Sequence, residues 1–291
     1  MRKNPVLGNE IKRYTRNMKC AWIILAVNLI LALFALIAQM GVSGRENYMT
    51  ILQYRFPIQC YVLMAYGLFL TICILIPGIA GGSIAGERER KILDLLLTTH
   101  LSPWKIVLGK LESSLFLIFL VSFSTLPVMG LVMIYGGITL VNLLQLIINL
   151  VIAGIFIGSI GIFYSAVMRK TTVAVILSYV TVAFLILGTV GILYGVGYIQ
   201  QMQEMYRDDF TGIQLGGLIY LLFFNPAVTL YGMIGQQTTN DYGLVRLCSY
   251  FGDYSHSFGV EHMVILSILV QLICSAVLLI AAGRHIHPMR K

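Results

Sequence analysis

A chain of 291 residues that is 58% hydrophobic and only 11% charged does not have the composition of a soluble domain. Soluble domains carry roughly 25% charged residues, so lipid must form part of the solvent of this chain. The net charge of +8 would suggest nucleic-acid binding in a soluble protein, but in a membrane protein it bears on orientation instead. The composition therefore predicts a membrane protein with lipid, and not nucleic acid, as its partner.

Six uncharged stretches are long enough to cross a bilayer as helices, for which about 20 apolar residues are needed. Each stretch is continuous, whereas a barrel strand would show only about ten alternating residues. We therefore predict an all-α integral membrane protein with six transmembrane helices. The six predicted spans are Cys20–Met40, Ile58–Ala80, Ser113–Tyr135, Leu143–Val167, Thr172–Tyr198 and Met263–Gly283.

Residues 1–19 precede the first span and mix apolar with basic side chains from Pro5 to Lys19. This pattern is typical of a short helix that lies in the inner membrane interface, with its lysines facing anionic headgroups. A frayed basic tail that only sets the topology is the alternative. The end of the first span offers no signal-peptidase site, so we expect no cleaved signal peptide.

A seventh uncharged stretch, Ile213–Gly235, lies within the long segment 199–262 that precedes the last span. Asn225-Pro226 interrupts it, and proline removes a backbone donor and disturbs the turn before it. We predict a broken, re-entrant or interface-lying pair of short helices here, and a seventh full span is the competing interpretation. The segment 199–262 would gate an exit, meet a partner or serve as a passive cap.

The distribution of basic residues decides between these topologies. With six spans and both termini inside, sixteen of the twenty Lys and Arg residues lie in inner segments and four lie in outer ones. This split is a strong positive-inside signal, whereas seven spans would place the basic tail outside. We predict a multi-pass protein of the cell membrane with cytoplasmic termini, a cytoplasmic loop at residues 81–112 and an outer segment at residues 199–262.

The loop Gly81–Glu112 between the second and third spans is too long for a simple turn and too patterned for a linker. Glu87 and Glu89 lie near the start of a predicted helix, where negative charge suits the helix dipole. Ser102-Pro103 then provides an N-cap and a first helical residue for the next helix. The apolar face of the predicted loop helix is formed by Ile92, Leu93, Leu96 and Leu97.

Short motifs follow one another along this loop. They are Gly86-Glu87-Arg88-Glu89-Arg90-Lys91, Leu93-Asp94-Leu95-Leu96-Leu97-Thr98-Thr99, Leu101-Ser102-Pro103 and Gly109-Lys110. The series resembles the signature of type-2 ATP-binding-cassette (ABC) transporter permeases, in which G-E-R-E, an acidic leucine-rich core, an L-S turn and a closing G-K are typical. Lys91-Ile92 departs from the small Gly-Thr pair that is common in the family. The six spans, the basic N-terminus and Asn225-Pro226 extend the resemblance along nearly the whole chain.

The resemblance implies that residues 1–291 form one permease domain of an exporter. In such permeases the loop forms a coupling helix that docks on a separate ATP-binding subunit, and a second permease subunit, identical or different, completes the transporter. An interfacial helix that merely connects two spans is the alternative. The implied contacts with the ATP-binding subunit are Glu87, Arg88, Glu89, Arg90, Leu93, Leu96 and Leu97, with Arg169 between spans four and five as a smaller contact.

The chain has no GxxxxGK[ST] phosphate loop, no HExxH and no GxSxG, and its six predicted spans carry no charged residue. A charged residue inside the membrane would mark an ion or proton path, so we expect energy to come from a partner. We expect no catalytic, cofactor or metal site in the chain, with ATP and Mg bound by the partner subunit. The alternatives are a non-transport ATP-driven machine for assembly, signalling or resistance, and an unrelated membrane enzyme.

Overall fold

The computed structural model describes residues 18–43, 49–92, 103–134, 138–204, 216–239 and 258–286, together with Gly8 and Cys248. The regular secondary structure in these ranges is helical throughout, which confirms the predicted all-α fold. The chain divides into two compact units, one formed by Met1–Tyr179 with Cys274–Lys291 and the other by Val180–Ile273.

Nine α-helices are defined in the described ranges. A π-helical turn, Phe184–Gly188, joins α5 to α6, and a 3₁₀ helix, Gly216–Phe224, precedes α7. The α-helices are α1 (Met18–Ser43), α2 (Met49–Glu89), α3 (Pro103–Ile134), α4 (Leu140–Val167), α5 (Thr171–Ala183), α6 (Thr189–Glu204), α7 (Pro226–Thr239), α8 (Phe258–Glu261) and α9 (Met263–Ile286).

Five stretches of helix in the described part of the chain are long and apolar enough to cross a membrane. They overlap the second to sixth predicted spans and confirm them as helices of membrane-spanning length, although the stretch that matches the third begins at Pro103 and not at Ser113. The first predicted span lies within α1, whose apolar part is described over Cys20–Leu33. The predicted interfacial helix over residues 1–19 lies almost entirely outside the described residues. The five stretches are Ile58–Glu89, Pro103–Pro127, Leu140–Val167, Thr171–Met202 and Met263–Ile286.

Small residues set the close packing of the first unit. A Cβ on Gly161 of α4 would lie 2.8 Å from the Cβ of Ala80 and 3.0 Å from the backbone nitrogen of Gly81, both on α2. A Cβ on Gly154 or Gly158, one turn apart on α4, would likewise lie 2.7–3.9 Å from side chains of α2 and α3. Helices can approach this closely only where side chains are absent, so these glycines bring α2, α3 and α4 together.

The second unit is built around a sharp bend. The 3₁₀ helix and α7 meet at Asn225 with an angle of 93° between their axes, which confirms the predicted break at Asn225-Pro226. Whether this bent pair crosses the bilayer or returns to the same side stays a prediction. The unit has its own apolar core, formed by Leu193, Ile219, Leu222, Val228, Cys248, Val260 and Met263.

Candidate coupling site

The end of α2 differs from the sequence prediction. The helix continues without interruption to Glu89, and Lys91 then takes a left-handed backbone conformation with φ of 59°. Glu87 and Glu89 therefore lie at the C-terminal end of a spanning helix and not near the start of a separate one, so that prediction was wrong. The physical reason is packing, because the small residues after Ala80 continue to contact α4 and α5.

This end of α2 projects beyond its apolar stretch. The helix has 41 residues, which corresponds to about 60 Å against a hydrocarbon core of about 30 Å. Residues 81–89 alone extend about 13 Å past Ala80. The leucines predicted to dock on a partner, Leu93, Leu96 and Leu97, lie outside the described residues, so the coupling helix stays a prediction.

Arg88 caps the C-terminus of α4. Its guanidinium donates hydrogen bonds to the carbonyl oxygens of Ala166 and Met168, at 2.8 and 3.0 Å. Carbonyls in the last turn of a helix lack intrahelical partners and carry the negative end of the helix dipole. The planar fork of arginine can reach two such acceptors at once, so this side chain ties α2 to the end of α4.

Glu89 caps the N-terminus of the next helix. Its carboxylate accepts a hydrogen bond from the backbone N–H of Thr171 at 2.9 Å and another from the Thr171 hydroxyl at 2.6 Å. Thr171 is the first residue of α5, where free N–H groups and the positive end of the dipole favour a carboxylate. The carboxylate thus lies against the N-terminus of α5, and not in the first turn of a helix of its own, as the sequence had predicted. We call the two side chains the Arg88–Glu89 clamp.

Glu87 joins α2 to α3. Its Oε1 forms an ion pair with the ammonium of Lys110, which is buried. The other carboxylate oxygen is buried too and has no hydrogen-bond partner in the described part of the chain. Sequence reasoning did not pair these residues, although an acid at the end of one span and a lysine at the start of the next were a usable signal.

Arg90 and Arg169 face outward. Both side chains are exposed, as are those of the neighbouring Lys91 and Lys170. Neither arginine forms an ion pair within the described ranges. The predicted contact residues thus fall into two groups, because Glu87, Arg88 and Glu89 bind within the chain and Arg90 and Arg169 present charge at its surface.

Asn225 fills the bend in the second unit and is fully buried. Its side-chain oxygen accepts hydrogen bonds from the backbone N–H groups of Ala227 and Val228, at 2.9 and 3.3 Å, and so caps α7. Its side-chain nitrogen donates to the carbonyl of Ile186 and to the hydroxyl of Thr189, at 2.9 and 2.8 Å. Ile186 lies in the π-helical turn, where the α-helical bonding pattern is interrupted. Pro226 follows as the first residue of the capped helix.

A buried polar network continues from the bend. Gln271 donates to the hydroxyls of Thr229 and Ser267, and Ser267 in turn donates to the carbonyl of Phe223 at the end of the 3₁₀ helix. Buried polar groups need such partners in an apolar surrounding. The network therefore provides a hydrogen-bond donor for the backbone carbonyl of Phe223 at the bend. Hydrogen bonds also join the side chains of Gln271, Thr229 and Ser267 to one another.

Residues 59–284 match the family of ABC-2 family transporter proteins. This match covers most of the chain and extends over parts of both compact units. The chain belongs to the ABC-2 transporter permease family. It is a multi-pass membrane protein and a permease component of a transporter, and membership implies association with an ATP-binding ABC subunit. The comparison with curated proteins gives no match.

The ABC-2 permease therefore combines two kinds of polar site. The Glu87–Arg90 end of α2 is linked to α3, α4 and α5 in the first unit, and the Asn225 bend is an internally bonded feature of the second. Across the described ranges, no group of three or more His, Cys, Asp or Glu side chains is arranged to hold a metal ion. The arrangement at the end of α2 is suited to transmitting force between helices.

Proposed function

We propose that this permease is the membrane-spanning subunit of an ABC exporter. A separate subunit binds ATP and Mg²⁺ and hydrolyses the nucleotide, while the permease performs no catalysis and holds no cofactor. A second permease subunit, identical or different, completes the pathway in the bilayer. The termini and the segment 81–112, which includes the end of α2 and the start of α3, face the cytoplasm, and substrate moves outward.

The observation that carries this proposal is the attachment of the α2 end to three other helices. Glu87 reaches α3 through Lys110, Arg88 reaches α4, and Glu89 reaches α5. A displacement applied to the projecting end of α2 is therefore passed to four helices together. Packed helices and hydrogen-bond networks are the means by which such displacements travel through proteins.

Exposed basic side chains beside the end of α2 offer a surface for the ATP-binding subunit. Arg90, Lys91, Arg169 and Lys170 form a basic surface, which would attract an acidic surface on the ATP-binding subunit and steer its association. The positive-inside rule assigns the same residues to the cytoplasmic side, where ATP is found. The proposed orientation therefore places the basic surface on the side of the membrane where an ATP-binding subunit would find its nucleotide.

The test is recovery of the intact complex. Affinity-tagged permease extracted from its native membrane in gentle detergent should bring down a protein with a GxxxxGK[ST] phosphate loop, identified by mass spectrometry. The double variant Arg90→Gln/Arg169→Gln should reduce that recovery, because it removes two cations from the basic surface. Arg284→Gln, which neutralises an exposed arginine near the end of α9, is the matched control. Recovery of permease without any ATP-binding protein would refute the proposal.

A further inference from the structure

We infer that Arg88 and Glu89 are positioning residues inside the permease, which lock the α4–α5 turn to the end of α2 so that both move as one body. The sequence resemblance assigned these two charges to docking on the ATP-binding subunit. The inference rests on the proposed function, because the motion of the body would come from the ATP-binding subunit. Its geometry, however, is independent of any partner.

Two consecutive side chains hold opposite sides of one short turn. The turn consists of Met168, Arg169 and Lys170 between α4 and α5. Arg88 binds carbonyls at its entry and Glu89 binds the N–H and hydroxyl at its exit. Each charge has the sign that the adjoining helix end requires. Hydrogen bonds with one ionised partner are roughly twice as strong as neutral ones. The bonds of Arg88 are partly buried and those of Glu89 are exposed to solvent, where screening weakens them, so the clamp contacts the turn at both ends and Arg88 contributes the larger share.

Packing along α2 extends the same body away from the clamp. A Cβ on Gly81 would lie 2.9 Å from the Ser178 hydroxyl and 3.2 Å from the Cα of Val175, which shows direct contact with α5. On the α4 side, the Ser165 hydroxyl accepts hydrogen bonds from the backbone N–H groups of Ile84 and Ala85, both at 2.9 Å. The contact therefore runs over about two turns of α2 before the clamp closes it.

This geometry separates the four charges of the Glu87–Arg90 motif by their function. Arg88 and Glu89 use their hydrogen-bonding capacity on backbone groups and a threonine of the same chain, whereas Arg90 projects outward. A partner that binds beside Arg90 or Arg169 would move the end of α2 and the α4–α5 turn together, because the clamp prevents them from moving independently. Without the clamp, the end of α2 and the α4–α5 turn could be displaced separately. A displacement of one segment would then be only partly transmitted to the spans attached to the other.

The clamp is tested in the full-length permease in lipid nanodiscs, with its five cysteines replaced and spin labels at positions 92 and 170. Electron paramagnetic resonance should give one narrow distance distribution for the parent and for Arg90→Ala. Arg88→Ala and the pair Glu89→Gln/Thr171→Val should broaden it. Arg88→Lys should be intermediate, because one ammonium replaces a fork that reaches two carbonyls. An unchanged distribution in Arg88→Ala would overturn the inference.

A second measurement separates positioning from partner contact. In the co-purified complex, Arg88→Ala should retain recovery of the ATP-binding subunit within about twofold, the effect of a change away from an interface. The permease-stimulated ATPase rate should fall about fivefold, within the range by which such substitutions change coupling. Parallel loss of recovery would make Arg88 a docking residue and overturn the inference. If the parent permease recovers no ATP-binding subunit, the proposed function fails, and the distance measurement still decides on the clamp.

Discussion

Replacing Asn225 by alanine should destabilise the permease. The side chain is fully buried and makes four hydrogen bonds, two as donor and two as acceptor. Alanine removes all of them. The carbonyl of Ile186 and the first N–H groups of α7 would then face an apolar surrounding.

The expected cost follows from these contacts. Loss of an asparagine N-cap costs about 0.5–2 kcal/mol, and a buried polar group left without its partner costs about 1–3 kcal/mol. Hydrogen bonds between membrane helices have measured lower, at about 0.6 kcal/mol on average, which favours the lower part of the range. We expect Asn225→Ala to lose about 1.5–3 kcal/mol, or about 4–8 °C in melting temperature.

The assay is thermal unfolding of the purified permease in nanodiscs, followed by far-ultraviolet circular dichroism. Gln236→Ala is the matched control, because this residue lies on the same helix and is exposed. It should change stability by no more than about 0.5 kcal/mol. If Asn225→Ala melts at the temperature of Gln236→Ala, the assignment of the bend to Asn225 is incorrect.

Three further predictions concern the first unit and the topology. Glu87→Ala should cost about 3–5 kcal/mol, because the buried ammonium of Lys110 loses its carboxylate, and thermal unfolding measures this. Lys170→Cys should react with an impermeant thiol reagent only after sealed cells are broken, whereas Gln201→Cys should react from outside. Gly161→Leu should abolish the monodisperse peak in size-exclusion chromatography, because the new side chain would collide with α2.

Each of these predictions has its own control or contrary outcome. Adding Lys110→Met to Glu87→Ala should restore much of the stability, since replacing both charges of a buried pair by apolar groups is often neutral. Failure of this rescue would show that the pair is not the cause. Labelling of position 170 from outside would reverse the topology. Gly191→Leu should be tolerated, because no atom of the described residues lies within 4 Å of its Cβ position. Equal damage at both glycines would contradict the packing argument.

Hydropathy alone predicted most of the fold. Spans two to six were predicted from uncharged stretches. A helix in lipid forms all of its backbone hydrogen bonds within itself, so a long apolar stretch is the main requirement for a span. The break at Asn225-Pro226 was also predictable, since proline and a capping side chain both act locally. These features depend on residues that are neighbours in the sequence.

The end of α2 was mispredicted because distant residues determine it. Three glycines and several charges at residues 81–91 indicated a loop, but contacts with α4 and α5 keep the helix intact to Glu89. The partners of Arg88 are backbone carbonyls about 80 positions away, and backbone groups leave no trace in a sequence pattern. The π-helical turn whose Ile186 carbonyl accepts a hydrogen bond from Asn225 could not be predicted either, because it is defined by backbone hydrogen bonds.

ATP hydrolysis in defined reconstitutions tests the central claim most directly. The permease, the ATP-binding subunit recovered with it, and the two together are placed separately in nanodiscs, and phosphate release is measured. The account predicts no hydrolysis by the permease alone and a rate for the pair that differs from that of the ATP-binding subunit alone and depends on Arg88. Hydrolysis by the permease alone, or a rate for the ATP-binding subunit that is the same with and without the permease, would contradict it.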